Sequence, residues 1–113
     1  MAARPIDIDY LINRVKLTKT ADRELDGEID ALVNNVNEQY PPRYTSSFDA
    51  VLWLISEILP GWKWSCTNWS SNGFESRARL FCSKFDFKWS KASTPELALL
   101  LATLIAYQNR KEL

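Results

Sequence analysis

Few side chains in this sequence can do covalent or acid–base chemistry. It contains no histidine, which removes both the commonest general base near neutral pH and the commonest nitrogen ligand for a metal. Cys66 and Cys82 are its two thiols. Neither has an imidazole to activate it, and both fall on the inward side of expected strands, so they read as inert buried thiols. Asp22, Asp26 and Asp30 recur at helical spacing and so share one helix face. Carboxylates alone would make at most a loose divalent site. The competing reading is a solvated face whose acids complement the helix dipole. The glycines Gly27, Gly61 and Gly73 are too far apart to form a phosphate-cradling loop. The expectation is a protein that is not an enzyme and that uses no cofactor and no metal.

Residues suited to recognition are better represented. Fourteen basic and fourteen acidic side chains cancel overall, but they are distributed unevenly. Residues 1–60 carry ten acids and six bases, a net of −4, whereas residues 61–91 carry Lys63, Arg77, Arg79, Lys84, Lys88 and Lys91 against Glu75 and Asp86, a net of +4. Strand parity would place Lys63, Arg77, Arg79 and Lys88 on one sheet face with Phe81 available for stacking. Guanidinium groups pair with carboxylates and phosphates, and aromatic rings add stacking. A wet sheet face carrying solubilising charges is the plainer reading. Of five tryptophans, Trp62, Trp64 and Trp89 fall on the apolar, inward face and read as core, and Trp53 lies on a helix. Trp69 sits at an expected hairpin tip, where it could anchor an interface. The candidate partner-binding residues are Trp69, Arg77, Arg79, Phe81, Lys63 and Lys88. The acidic run Asp22 to Asp30 is the rival contact surface.

These residues need a scaffold, and 113 residues with 46% apolar and 25% charged side chains suit one domain, 1–113, with one core. The expected architecture is α+β, with helices over about 7–17, 20–37, 47–59 and 94–109 packed on a three-stranded antiparallel sheet over about 62–69, 74–82 and 85–90. Ile8, Leu11, Ile12 and Val15 form one helical stripe behind an Asp7 cap. Leu25, Ile29, Leu32 and Val36 form a second stripe, with Thr20 as its expected cap. Tyr40-Pro-Pro-Arg-Tyr44 cannot continue a helix, and Ser46 or Ser47 opens the third, which Pro60-Gly61 ends.

From Gly61 onward the pattern alternates over two residues, the signature of half-buried strands. For the first hairpin parity requires an odd loop, for example one pairing Trp64 with Ala78, because an even loop would turn the tryptophans toward Arg77 and Arg79. It also places Cys82 opposite Phe85, hence Leu80 beside Phe87 and Ala78 beside Trp89. Ser83-Lys84 lacks the glycine or asparagine that two-residue turns prefer, so a bulge or longer loop is the alternative. Thr94-Pro95-Glu96 opens the last helix. Its body, Leu97 to Tyr107, is apolar almost all round and needs cover on two sides: the sheet on one, and on the other either the first helices or a second copy, which would make a homodimer. That apolar run has eleven residues, against about twenty for a membrane span. No membrane span is expected, and the N-terminus lacks a signal-peptide apolar region.

The order of short pieces resembles the bacteriophage and prophage protein family described as the phage ABA sandwich domain. The matching pieces are Tyr10-Leu-Ile-Asn-Arg-Val15, Arg23-Glu-Leu-Asp26 with Ile29, Tyr44-Thr-Ser-Ser-Phe-Asp-Ala50, Leu59-Pro-Gly-Trp62 with Trp64, and Ser93-Thr-Pro-Glu-Leu-Ala98. They touch most of residues 8–106. The connector from Val36 to Arg43 is longer than is usual in such proteins. The resemblance implies a phage origin and an α+β fold, and it supplies no catalytic residues. Together with the missing catalytic equipment, it leads to the expectation of a small phage-encoded protein in the host cytoplasm. That protein would bind a host protein stoichiometrically and so inhibit a bacterial defence system such as CRISPR. The rivals are a nucleotide-ligand or nucleic-acid binder using the basic face, and a virion or assembly component.

Overall fold

A computed structural model describes residues 7–34, 40–67, 76–83, 85–86 and 89–110. Helix α1 spans Ile8–Leu17, with the Asp7 carboxylate accepting from the Tyr10 amide and with Leu11, Ile12 and Val15 buried. Helix α2 spans Arg23–Asn34. Its cap is Asp22 and not Thr20: the Asp22 carboxylate accepts from the Leu25 amide at 3.1 Å, and the Asp22 carbonyl accepts the first helical bond, from Asp26. Asp22 wins because Arg14 and Thr45 also hold it, at 3.0 and 2.8 Å. Helix α3 spans Phe48–Ile58 behind a Ser47 cap. Gly61, at φ 86°, then turns the chain into the sheet, a conformation that favours glycine.

The sheet consists of β1 (Lys63–Thr67), β2 (Ser76–Cys82), β3 (Phe85–Asp86) and β4 (Ser90–Ala92). β1 lies antiparallel on one side of β2, and β3 and β4 both pair with the other side, so the sheet is three strands wide. The expected parity of the first hairpin holds, but Trp64 faces Leu80 and not Ala78. Moving a turn centre by one residue slides the register by two, which keeps every side chain on its own face. The third strand differs more. Cys82 pairs with Phe85 as expected, but Ala78 pairs with Ser90 and not with Trp89. The pairing register thus shifts by one residue between Asp86 and Ser90, and a shift of one reverses the faces beyond it. The strand expected over 85–90 is therefore two pieces, the second reaching Ala92. Trp89, expected in the core, is 42% exposed.

Helix α4 (Pro95–Arg110) opens as its sequence indicates, with the Leu97 amide donating to Thr94 Oγ1. It crosses the inner face of the sheet, where Ser76, Ala78 and Leu80 are buried beneath it. Helices α1 and α3 cover its other side, and α2 packs on α1. Leu97 to Leu104 are all buried, so the chain's own helices cover this side of α4. Thr103 keeps its hydroxyl satisfied inside this layer by donating to the Leu99 carbonyl at 2.7 Å. Among the described residues no helix is long and apolar enough to cross a membrane.

A candidate binding face on the outer side of the sheet

Alternation along β2 turns Ala78 and Leu80 toward α4 and Arg77, Arg79 and Phe81 the opposite way. Register then assigns their neighbours. Lys63 lies opposite Phe81, Ser65 opposite Arg79, and Thr67 and Lys91 on either side of Arg77. Directly paired residues share a face. Four cations, Lys63, Arg77, Arg79 and Lys91, therefore share the outer face with Phe81. Lys63 and Lys91 are exposed, and the two arginines and Phe81 are half-buried.

The register shift adds a member that sequence parity had assigned to the core. Trp89 joins Phe81 beside Arg79, whose guanidinium carbon lies 5.1 Å from each ring centroid. A planar cation against two aromatic faces is electrostatically favoured, by about 0.5–1 kcal/mol per exposed contact. The two rings also narrow the orientations open to Arg79, which lowers the entropy lost when it binds. Beside this group, Gly61, Lys63, Phe81, Cys82 and Ser83 line a shallow depression of about 400 Å³. The face can receive carboxylates or phosphates. Trp69 and Lys88, both expected at this surface, lie outside the described residues. Lys91 and Trp89 are the members sequence reasoning missed. No sequence signal marked them, because the turn at Ser83-Lys84 keeps the expected Cys82–Phe85 pairing and the register shifts only beyond Asp86.

The acidic run of α2, the rival surface, is mostly turned inward. Asp26 is fully buried, with its carboxylate accepting from the Thr45 amide at 2.8 Å and from Arg23 at 2.9 Å. Asp30, 2% exposed, accepts from the Tyr44 hydroxyl at 3.0 Å. Arg14 bridges Asp22 and Glu28 at 3.0 and 3.2 Å. Its own pKa is raised chiefly by its hydrogen bond to the Tyr10 hydroxyl. These contacts fasten the proline-containing connector and α1 to α2, so the run is a structural clamp and not the solvated face expected. Glu24 remains open to solvent. No group of three or more metal-ligating side chains occurs among the described residues.

Neither cysteine meets a second thiol, and both are half-buried. Cys66 lies 4.0 Å from the Pro95 carbonyl at the start of α4. Burial, and then the charge of Glu96, push its thiol pKa up, the direction opposite to that of an activated nucleophile. Comparison with protein-family models, with curated proteins and with solved structures finds no significant match.

Proposed function

We propose that this chain is a stoichiometric binding protein that engages an acidic surface of another protein through the outer face of its sheet. The observation that carries the reading is the Arg79 group: a guanidinium placed against Phe81 and Trp89, with Lys63, Arg77 and Lys91 on the same face. Aromatic rings and arginine are the residue types that dominate binding energy at protein interfaces. The resemblance to phage proteins makes a host protein the partner, met in the host cytoplasm. It makes inhibition of a defence system, such as a CRISPR effector, the consequence. A non-enzymatic role agrees with a sequence that has no histidine. The same cations favour a nucleic acid or nucleotide as the second reading, and salt separates the two, because binding driven by phosphates weakens steeply as salt rises.

The test is an affinity capture from host lysate treated with nuclease, comparing the wild-type chain with an Arg77→Glu, Arg79→Glu double variant shown to be folded by circular dichroism. A protein retained by the wild type and lost from the variant is the expected result. A partner held equally by both removes the sheet face from consideration, and capture that vanishes with nuclease transfers the face to nucleic acid.

A further inference from the structure

Away from the sheet, helix α3 also combines charge with an aromatic ring at the surface. It buries Val51, Leu54, Ile55 and Ile58, while Asp49, Trp53 and Glu57 are exposed, Trp53 to 45%. Residues four apart are neighbours on a helix surface, so these three follow one side. A rise of about 1.5 Å per residue sets the two acids about 12 Å apart along the axis, with the tryptophan midway. The outer face of the sheet carries the complementary order. Lys63 pairs with Phe81 and Lys91 with Arg77, so the two exposed lysines end a diagonal across three strands whose middle is Arg79. Two strand spacings and four residues along β2 put their Cα atoms about 16 Å apart. Flexible four-carbon stems let two such lysines close on carboxylates about 12 Å apart. Between them stand Phe81 and Trp89, each with its ring centroid 5.1 Å from the Arg79 guanidinium carbon.

We propose that the exposed side of α3 docks on the outer sheet face of a second copy of this chain. Lys63 and Lys91 of that copy receive the carboxylates of Asp49 and Glu57, and Trp53 lies against Phe81 and Trp89 between them. Acid, ring, acid on the helix thus meets cation, rings, cation on the sheet. Aromatic pairs gain from such contact beyond the area they bury, and tryptophan is prominent among interface anchors. The contact is heterologous, since a helix side on one copy meets a sheet face on the other. Exposed ion pairs are individually weak, so the association is salt-sensitive and yields to a tighter ligand. The inference rests on the proposed binding face as its receiving surface and adds a regulation of it: a second copy and an acidic outside partner compete for the same cations. The order of residues on α3 is independent of that reading.

The test is sedimentation velocity of the full chain at low salt, from micromolar to millimolar protein. The mean mass should rise with concentration and fall back when salt is added. The variant Asp49→Lys, Glu57→Lys and, separately, the variant Lys63→Glu, Lys91→Glu should each weaken association about ten-fold or more, equivalent to about 1.4 kcal/mol. All four positions are exposed, and circular dichroism checks that both variants are folded. Mixing the two variants should restore association, because each helix side then finds a face of opposite charge. A wild type that stays monomeric, a variant with reversed α3 charges that associates as before, or a mixture no more associated than its components each overturns the inference. If the wild type is monomeric while Arg77→Glu, Arg79→Glu abolishes partner capture, the self-contact fails and the binding face stands. Association restored by mixing, with capture equal for the wild type and that double variant, gives the reverse.

Discussion

Asp26 carries an unusual load for one carboxylate. It is wholly inside the protein and accepts from the Thr45 amide and from Arg23, which also donates to the Pro41 carbonyl at 2.9 Å. Replacing a buried acceptor strands its donors, and the cost is the desolvation of groups left unpaired. Asp26→Ala should therefore lower the unfolding free energy by about 2–4 kcal/mol in urea denaturation. A loss below about 1 kcal/mol, the size of a single exposed pair, would show that Thr45 finds another partner. The spacing of Asp22, Asp26 and Asp30 was legible in the sequence, and so was their common face. The burial of Asp26 and Asp30 was not, because Thr45 and Tyr44, which donate to them, arrive across the proline-containing connector.

For α2, the element-scale question is what holds a helix whose first turn is acidic. Asp22 answers it through the Leu25 amide, the first cause of a carboxyl pKa lowered below the ordinary aspartate value, with Arg14 adding to it and partial burial opposing it. A carboxyl lowered in the folded state contributes stability that is whole above its unfolded-state value and is lost as pH falls through the folded-state value. The wild type should thus lose stability from about pH 5 downward more steeply than Asp22→Asn, which keeps a capping side chain but cannot titrate. Parallel pH profiles from thermal melts would show that Asp22 is not a source of the acid sensitivity. The start of α4 was readable in full from Thr94-Pro95-Glu96, since capping is a local matter of a few residues. The α2 cap was misassigned to Thr20 because Thr20 and Asp22 are both competent, and contacts from α1 and Thr45 chose between them.

At the scale of the whole molecule, α4 is the keel: sheet on one side, α1 and α3 on the other. Leu100, fully buried midway along it, has no route to solvent. Leu100→Ala should cost about 2–5 kcal/mol by calorimetry or denaturant titration, the transfer term plus the cavity left behind. A smaller loss, with concentration-dependent association, would mean that a second copy shares the cover. This one-sided layering leaves the outer face of the sheet to its cations and Trp89.

Periodicity determined the inventory: four helices, an antiparallel sheet, the inward placement of Ala78 and Leu80, and an apolar α4 in need of two-sided cover. Each of those follows from the angle between successive side chains, a property that chain neighbours set by themselves. Only the tertiary structure decided where pairing gains a residue after Asp86, which way Trp89 turns, what seals the far side of α4, and which acids of α2 are internal. Those outcomes depend on segments distant in sequence competing for the same backbone bonds and the same space, and no local pattern records which segment wins.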